Sequence, residues 1–383
     1  MRNRAKLFLL MFVLTAAVVE VLSFAAVTVM RRIRPRLLWT PDVDAFERGY
    51  QQFLRGHHTV LGWPPPGRGA RPSPAFPNTT PSCVALFGDS FTNGAEVGDD
   101  VAWGNVLAQR LHCRVANYGV GGYGTDQAYL RFRDRADDHP PIVILGIFED
   151  NLQRNVNRYR ELLAPTEGFS FKPRFRLDDH GELKLVPMPL LDPREARAFI
   201  ESPERFLTDE YFLPGSDAGP VRPRFPFTLA ALRLLHHPDI RAVLAGHPYW
   251  ERFYQPGHAS GALETTMGII RAFQEGASSR GQRLLIVVFP SPKTLVRIGK
   301  TGRRPYQNLI DRVRVTRIPL VDLAGDILAR LSLRSPCEIA THPKPCRGHY
   351  SAEANAWVAE IVQEALAHQG WLAGPSFAQK PAR

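Results

Sequence analysis

The 383-residue sequence is poor in cysteine, with only Cys83, Cys113, Cys337 and Cys346. None of them has the short paired spacing of a structural zinc site, and no cluster of further ligands accompanies them. We therefore expect no structural zinc site. In an oxidising compartment Cys337 and Cys346 could close a short loop, with Cys83 and Cys113 as a second pair; the alternative is four small buried thiols.

The chain also lacks a basic motif interleaved with aromatic residues, although its formal net charge is +11. Residues 1–36 hold seven Arg or Lys and one acidic residue, so they carry +6 and leave +5 for residues 37–383. The main part of the chain is therefore only mildly basic. We expect no nucleic-acid binding, because that function needs a concentrated basic surface. The basic residues near the N-terminus are better suited to lipid headgroups.

One apolar run is long, extending from Leu7 to Met30. As a helix it would extend about 36 Å at 1.5 Å per residue, enough to cross a hydrocarbon layer about 30 Å thick. Cleaved signal peptides have apolar cores of only about 7–15 residues. The sequence therefore favours a retained membrane helix over a cleaved signal. Basic residues flank both ends, so charge does not decide its orientation.

Glu20 interrupts this run. A charged carboxylate in a membrane helix costs on the order of 2.5–3.5 kcal/mol on the insertion scale. We expect Glu20 either to be protonated or to pair with another membrane helix. Only the second alternative implies a partner.

Beyond the membrane segment, the pattern predicts an α/β fold with a doubly wound five-stranded parallel sheet. Apolar runs recur, each ends in small or polar residues, and helical patterns lie between several of them. The five runs are 84–87, 115–116, 142–145, 284–289 and 320–321. The predicted organisation is an anchor over 1–36, a stem and Pro/Gly-rich spacer over 37–81, a main domain over 82–151 and 276–370, an insertion over 152–275 and a flexible tail over 371–383.

The insertion is too long for a single crossover helix, and we expect it to form a lid or subdomain near the carboxyl edge of the sheet. It contains a predicted hairpin over 171–186 and a predicted helix over 227–244. Its arginines could grip an anionic substrate or form a solvated surface. They are Arg154, Arg158, Arg160, Arg174 and Arg176.

The segment Gly88-Asp89-Ser90 follows the first predicted strand. A serine at a sharp turn between strand and helix projects its hydroxyl from the sheet edge where α/β folds bind ligands. The pattern therefore suggests a nucleophile at Ser90. The competing interpretation is that Asp89 and Ser90 merely cap a helix.

Together with three later motifs, this segment resembles the SGNH, or GDSL, hydrolase family. The second motif is a glycine-rich turn that begins at Asn117, where Gly122 is the matching glycine and Gly121 the close alternative. The third, at the end of the third strand, matches less well and selects Asn151. The fourth is Gly348-His349 before a C-terminal helix. The resemblance implies a flavodoxin-like SGNH fold and assigns catalytic roles to Ser90, Gly122, Asn151 and His349.

In that family a serine attacks an ester, the histidine moves the proton, and backbone N–H groups and the asparagine amide hold the oxyanion. This chemistry requires neither a metal nor an organic cofactor. Members usually place an aspartate two or three residues before the histidine. This chain has Arg347 and Cys346 there instead, so any acid that orients His349 must come from elsewhere.

The resemblance therefore predicts a membrane-anchored, extracytoplasmic serine esterase acting on acyl esters, with an O-acetylated cell-surface or exported polysaccharide as the leading substrate. One alternative is acyl transfer to a glycan. Another, favoured by the missing aspartate and by the imperfect third motif, is a catalytically weak glycan-binding or assembly protein.

Overall fold

The computed structural model describes residues 2–63, 69–135, 138–165 and 169–373. Residues 374–383 of the predicted flexible tail and residues 64–68 of the predicted spacer lie outside these ranges. The strands are β1 (Ser82–Phe87), β2 (Arg114–Asn117), β3 (Ile142–Phe148), β4 (Arg174–Leu177), β5 (Leu183–Val186), β6 (Arg283–Phe289), β7 (Leu320–Asp322), β8 (Ala340–His342) and β9 (Arg347–Tyr350). The α-helices are α1 (Arg2–Ile33), α2 (Val43–Gly56), α3 (Ser90–Asn93), α4 (Trp103–Leu111), α5 (Thr125–Asp134), α6 (Asn151–Arg154), α7 (Ala196–Glu201), α8 (Phe227–His236), α9 (Pro238–Leu244), α10 (Ala262–Ser279), α11 (Pro292–Thr301), α12 (Gln307–Val315), α13 (Leu323–Leu331) and α14 (Ala352–His368).

Five strands form one parallel sheet in the order β2-β1-β3-β6-β7. Counted among themselves, these strands have the order 2-1-3-4-5 of a flavodoxin-like doubly wound fold. Every residue of β1 and β3 is buried, as expected for a sheet that is covered on both faces. The predicted fold class is confirmed.

The strand order determines where ligands can bind. The chain leaves β1 toward β2 on one side, and β3 lies on the other side of β1. The crevice at such a reversal, at the carboxyl ends of the strands, is the usual ligand site of open α/β sheets. Ser90 lies three residues beyond the end of β1, at this position.

The chain divides into two compact units. The first comprises residues 1–63, 157–172 and 187–249, and the second comprises 64–156, 173–186 and 250–383. The predicted insertion is thus shared between them. The β4–β5 hairpin and α10 belong to the second unit, because α10 buries an apolar face as the helix that precedes β6.

Two local predictions within 152–275 have different outcomes. The hairpin forms as an antiparallel pair, and the Asp178 carboxylate closes its turn by accepting hydrogen bonds from the backbone of His180 and Glu182, each at 2.9 Å. The single helix predicted over 227–244 is wrong, because the structure has two helices, α8 and α9. Pro238 separates them, since proline fits the first turn of a helix but not its interior.

In the first unit, the predicted stem is the amphipathic helix α2. Phe46, Tyr50 and Phe53 recur on one face and are buried. The Tyr50 hydroxyl donates a 2.6 Å hydrogen bond to the carbonyl oxygen of Leu191. The stem is therefore packed into its unit instead of standing free as a stalk.

All four cysteines form disulfides, Cys83 with Cys113 and Cys337 with Cys346. The first links the start of β1 to the residue before β2, and the second closes the segment that leads into β9. The free-thiol alternative is therefore wrong.

Candidate active site

The turn after β1 presents the Ser90 hydroxyl. The Asp89 side chain caps α3 by accepting a 2.9 Å hydrogen bond from the backbone N–H of Phe91. Gly88 is required at this turn, because a Cβ there would lie 2.0 Å from the Thr92 hydroxyl oxygen. Asp89 therefore supplies the cap, which leaves the Ser90 hydroxyl available for another partner.

That partner is His349, which lies on β9 of the small β8–β9 hairpin. Its Nε2 atom is 2.8 Å from Ser90 Oγ. The Phe91 ring packs beside the imidazole with a centroid separation of 4.8 Å. The His349 side chain keeps 21% of its surface exposed, so the pair lies at an accessible edge of the sheet.

The acid beside His349 is Glu96, which sequence analysis did not identify. Glu96 Oε1 lies 3.1 Å from His349 Nδ1, an ion-pair distance, although the N–H direction falls outside hydrogen-bond geometry. The other oxygen, Oε2, accepts a 3.2 Å hydrogen bond from the His349 backbone N–H. It also accepts a hydrogen bond from the Thr341 hydroxyl. The acid thus comes from the loop after Ser90 and not from the positions before the histidine, where Arg347 and Cys346 stand.

The position of the Glu96 carboxylate beside His349 depends on backbone conformation at two residues. Glu96 itself has φ +66°, an uncommon value for a residue with a side chain, and functional sites often contain such strain. Gly348 has φ +86°, and a Cβ there would lie 2.5 Å from Glu96 Oε2 and 2.2 Å from Thr341 Oγ1. Glycine at 348 therefore makes room for the carboxylate beside the histidine.

Glu96 remains ionised at neutral pH. Its partial burial acts to raise the pKa, but hydrogen bonds from Thr341 and from the His349 backbone, with the nearby imidazole, lower the pKa overall. An ionised carboxylate at Nδ1 favours a proton on that nitrogen, which leaves Nε2 free to accept one from Ser90.

The glycine-rich turn after β2 lies against the serine turn. The Val120 backbone N–H donates to the Gly88 carbonyl oxygen at 3.1 Å. A Cβ at Gly119 would lie 2.5 Å from the Asn93 nitrogen. Gly122 follows with φ +77°, and within the described ranges neither its backbone N–H nor that of Ser90 has a hydrogen-bond acceptor.

Asn151 is buried beneath this turn and its amide already has partners. Its Nδ2 donates to Asp89 Oδ2 and to the Tyr123 carbonyl oxygen, each at 3.1 Å. Nη1 of Arg154 donates to the same two acceptors, at 2.9 and 3.1 Å. Asn151 and Arg154 together fix the Ser90 turn against the glycine-rich turn.

Glu149, directly after β3, is buried. Burial, with the neighbouring Asp150, raises the pKa of Glu149 to about 8, so Glu149 is mostly protonated at neutral pH. Four of the five arginines in the predicted insertion form neither a solvated surface nor a substrate grip, since they are at most 8% exposed. They are Arg154, Arg158, Arg160 and Arg174. Within the described part of the chain, no group of three or more His, Cys, Asp or Glu could hold a metal ion.

The loop that carries Glu96 is held by Arg71, which lies in the predicted spacer. Its guanidinium donates to the carbonyl oxygens of Gly94 and Val97 at 2.6 and 2.7 Å, and to Asp99 Oδ1 at 2.7 Å. It also donates to the backbone and side-chain oxygens of Asn93. Five hydrogen bonds from one side chain thus fix residues 93–99, and this part of the spacer belongs structurally to the site.

Arg71→Lys should lower kcat for ester hydrolysis by up to about 10²-fold with little change in KM, because a small displacement of a catalytic group can cost that much. Lysine keeps the charge but cannot provide the planar fork of donors. The control is Arg114→Lys, since Arg114 also binds the spacer, at the Thr80 carbonyl oxygen, but not the 93–99 loop. Equal kcat in the two variants would show that Arg71 does not position Glu96.

At the edge of the sheet, a serine hydroxyl, an imidazole and a carboxylate therefore follow one another in the order of a Ser–His–acid site.

Among solved structures, the chain is similar to a lipolytic protein and to esterases. A lipolytic protein of the G-D-S-L family from Desulfitobacterium hafniense is 15% identical, covering 74% of this chain and 98% of its own, with a TM-score of 0.36. The esterase EstA from Pseudoalteromonas is 8% identical over 75% and 97%, with a TM-score of 0.34. An acetyl xylan esterase from Butyrivibrio proteoclasticus is 10% identical over 77% and 66%, with a TM-score of 0.32.

No protein-family model and no curated protein sequence matches the chain. The identities and TM-scores of these solved structures are too low to say what this chain acts on. Its chemistry has to be inferred from its own side chains.

Proposed function

We propose that the chain is a membrane-anchored serine esterase of the SGNH type, which cleaves acyl esters through an acyl-enzyme on Ser90. The observation that carries this proposal is the line of contacts from Ser90 Oγ to His349 Nε2, at 2.8 Å, and from His349 Nδ1 to Glu96 Oε1, at 3.1 Å. A serine hydroxyl is a weak nucleophile until a base within hydrogen-bond reach takes its proton.

In the proposed reaction, Ser90 Oγ attacks the ester carbonyl carbon while His349 Nε2 accepts the hydroxyl proton. The histidine then gives that proton to the oxygen of the leaving alcohol, and the acyl group remains on Ser90. Water repeats the sequence, releasing the acid and restoring the serine. Glu96 stabilises the imidazolium that forms in both halves and holds the ring in place.

Hydrogen-bond donors must stabilise the negative charge that develops on the carbonyl oxygen when the serine attacks. We assign the backbone N–H groups of Ser90 and Gly122, and the amide of Asn151 as a third. To reach the oxyanion, the Asn151 amide would turn away from its two present acceptors, both of which Arg154 Nη1 also binds, and from the Phe148 N–H, which donates to Asn151 Oδ1 at 2.7 Å. One such donor is typically worth about 3–4 kcal/mol of transition-state stabilisation.

The proposed substrate is an O-acetyl ester on a cell-surface or exported polysaccharide. The site is partly exposed at an open sheet edge, which suits a large substrate. Both disulfides suit an oxidising compartment, and this supports an extracytoplasmic location. The alternative of a catalytically weak binding protein rested on the missing aspartate before His349 and on the imperfect third motif; the position of Glu96 beside His349 speaks against the first of these.

The test is reaction of the full-length, detergent-solubilised protein with a fluorophosphonate, read by intact mass. Wild type should gain one adduct, whereas Ser90→Ala and His349→Ala should gain none. Ser291→Ala is the matched control, because Ser291 also follows a sheet strand and begins a helix, and it should label like wild type. A folded wild type that stays unlabelled would contradict the proposal. If wild type is labelled as expected, release of acetate from an O-acetylated polysaccharide tests the proposed substrate.

A further inference from the structure

The carboxylate of Glu20, in the middle of α1, is bound by the start of α8. Its Oε2 accepts hydrogen bonds from the Thr228 backbone N–H, at 3.0 Å, and from the Thr228 hydroxyl, at 2.6 Å. Its Oε1 accepts one from the Phe227 backbone N–H. The first N–H groups of a helix have no partner within the helix, and they favour a negative charge. Glu20 therefore caps α8, and its partner lies in the same chain.

The two helices lie side by side within the first unit. The Phe24 ring meets the Phe227 ring edge-on at 4.9 Å, and Val27 packs in a buried cluster with Ala230 and Leu234. Beyond the end of α8, Asp239 forms a 2.5 Å ion pair with Arg36. Thus α8 begins level with Glu20 and runs in the same direction as α1.

These contacts determine the position along α1, and so the depth in the membrane, at which α8 begins. Eleven residues separate Glu20 from Arg31, the first arginine after the apolar run, which corresponds to about 16 Å along a helix. Before α8, Val221 pairs with the chain just beyond α1, since its N–H donates to the Leu37 carbonyl oxygen at 2.8 Å. The non-helical stretch 222–226 therefore descends beside α1, and α8 returns beside it.

The descending stretch has few backbone donors, since only Arg222, Arg224 and Phe225 carry an N–H. Pro223 and Pro226 have no N–H, and the N–H of Arg224 donates to the Arg222 carbonyl oxygen at 3.0 Å. The N–H groups of Phe227 and Thr228, which follow Pro226, bind Glu20. Non-helical backbone is tolerated at membrane depth where protein or water covers it, and a stretch with few donors lowers the cost of that position. The charge of Arg224 can reach the headgroups through its long side chain.

The face of α8 that points away from α1 is apolar and uncovered. Leu229, Leu232 and Leu235 are 57%, 47% and 62% exposed, and Phe225, before the helix, is 79% exposed. Their spacing places the three leucines on one stripe, opposite Ala230 and Leu234. The polar residues in the last turn of α8, Arg233 and His236, lie at the end nearer the headgroups and can reach them. An exposed apolar stripe of this kind belongs in a core or in a membrane.

We propose that residues 222–236 form a re-entrant element that enters the same bilayer leaflet as the end of α1, with lipid acyl chains covering the leucine stripe. Lipid is the occupant because apolar side chains are exposed on the outward faces of both helices: on α1, opposite the side that meets α8, Leu22 and Val29 are 64% and 56% exposed. The inference rests on the membrane anchoring proposed above. It makes α1 a retained structural helix, because its removal would expose Ala230 and Leu234 and leave the start of α8 uncapped.

The test uses single cysteines carrying an environment-sensitive fluorophore in the full chain, reconstituted in nanodiscs of phosphatidylcholine and phosphatidylglycerol. The native cysteines are bonded, so each new thiol is labelled selectively. Leu232→Cys should be quenched by lipids with mid-chain doxyl groups and should lose reaction with a membrane-impermeant maleimide. Leu10→Cys, on α1, should behave alike, whereas Leu333→Cys, fully exposed in the second unit, should react and stay unquenched.

The outcomes separate this proposal from the anchoring itself. If Leu10→Cys is quenched but Leu232→Cys is not and reacts with the maleimide, the re-entrant element is wrong and the anchor stands. If Leu232→Cys is protected from maleimide without quenching, protein and not lipid covers the stripe, and the proposal is wrong. If neither label is quenched, both the membrane anchor and the re-entrant element are wrong.

Discussion

Replacing Ser90 by alanine should lower kcat for ester hydrolysis on the order of 10⁶-fold, and adding His349→Ala should lower it no further. The reason is that the two residues act as one unit, joined by the 2.8 Å contact between Oγ and Nε2. Without the hydroxyl, the imidazole has no proton to take, so its removal costs nothing more. Steady-state rates of the two single variants and the double variant on an acetyl ester provide the measurement.

Losses that multiply in the double variant would mean that Ser90 and His349 contribute independently. That result would contradict the proposed proton transfer even if each single variant were inactive. Residual activity in all three variants is expected to be similar, because substrate binding and the oxyanion donors remain.

Glu96→Gln should lower kcat by about 10⁴-fold at neutral pH, the cost of losing the orienting acid in a serine hydrolase. The glutamine amide has nearly the same shape but no charge to stabilise the imidazolium, and it can present an N–H to Nδ1 and so hold the wrong tautomer. The measurement is kcat for acetyl ester hydrolysis, with circular dichroism to confirm the fold.

Asp100→Asn is the matched control for this variant. Asp100 is a second, exposed acid on the same loop, four residues further on, and should be dispensable. If Glu96→Gln stays within tenfold of Asp100→Asn, then Glu96 is not the acid of this site, whatever its distance from Nδ1.

The sheet could be predicted because each of its strands is marked by a run of neighbouring apolar residues in the sequence. Apolar runs such as 142–145 and 284–289 become buried parallel strands, and the segments between them have the period of helices. The break at Pro238 was missed because the apolar pattern continues across it, while the proline ends α8 through backbone geometry.

The candidate site was only partly predictable. Ser90 and His349 stand in recognisable segments, and the structure brings them together. Glu96 has no local signature, because its role depends on a hairpin more than 240 residues later reaching the loop after Ser90. Arg71 was hidden for a similar reason, since a proline-rich segment predicts an extended chain and not what one of its side chains will hold.

The close spacing of nucleophile and acid has a consequence for recognising such chains. Ser90 and Glu96 are six residues apart on one segment, whereas a search pattern that requires an acid shortly before the histidine would reject this sequence. A pattern that instead requires glutamate six residues after the serine, with glycine directly before the histidine, would retrieve chains built in this way. In those chains, the positions of Cys346 and Arg347 are released from catalysis and can serve other needs, as the disulfide at Cys346 shows.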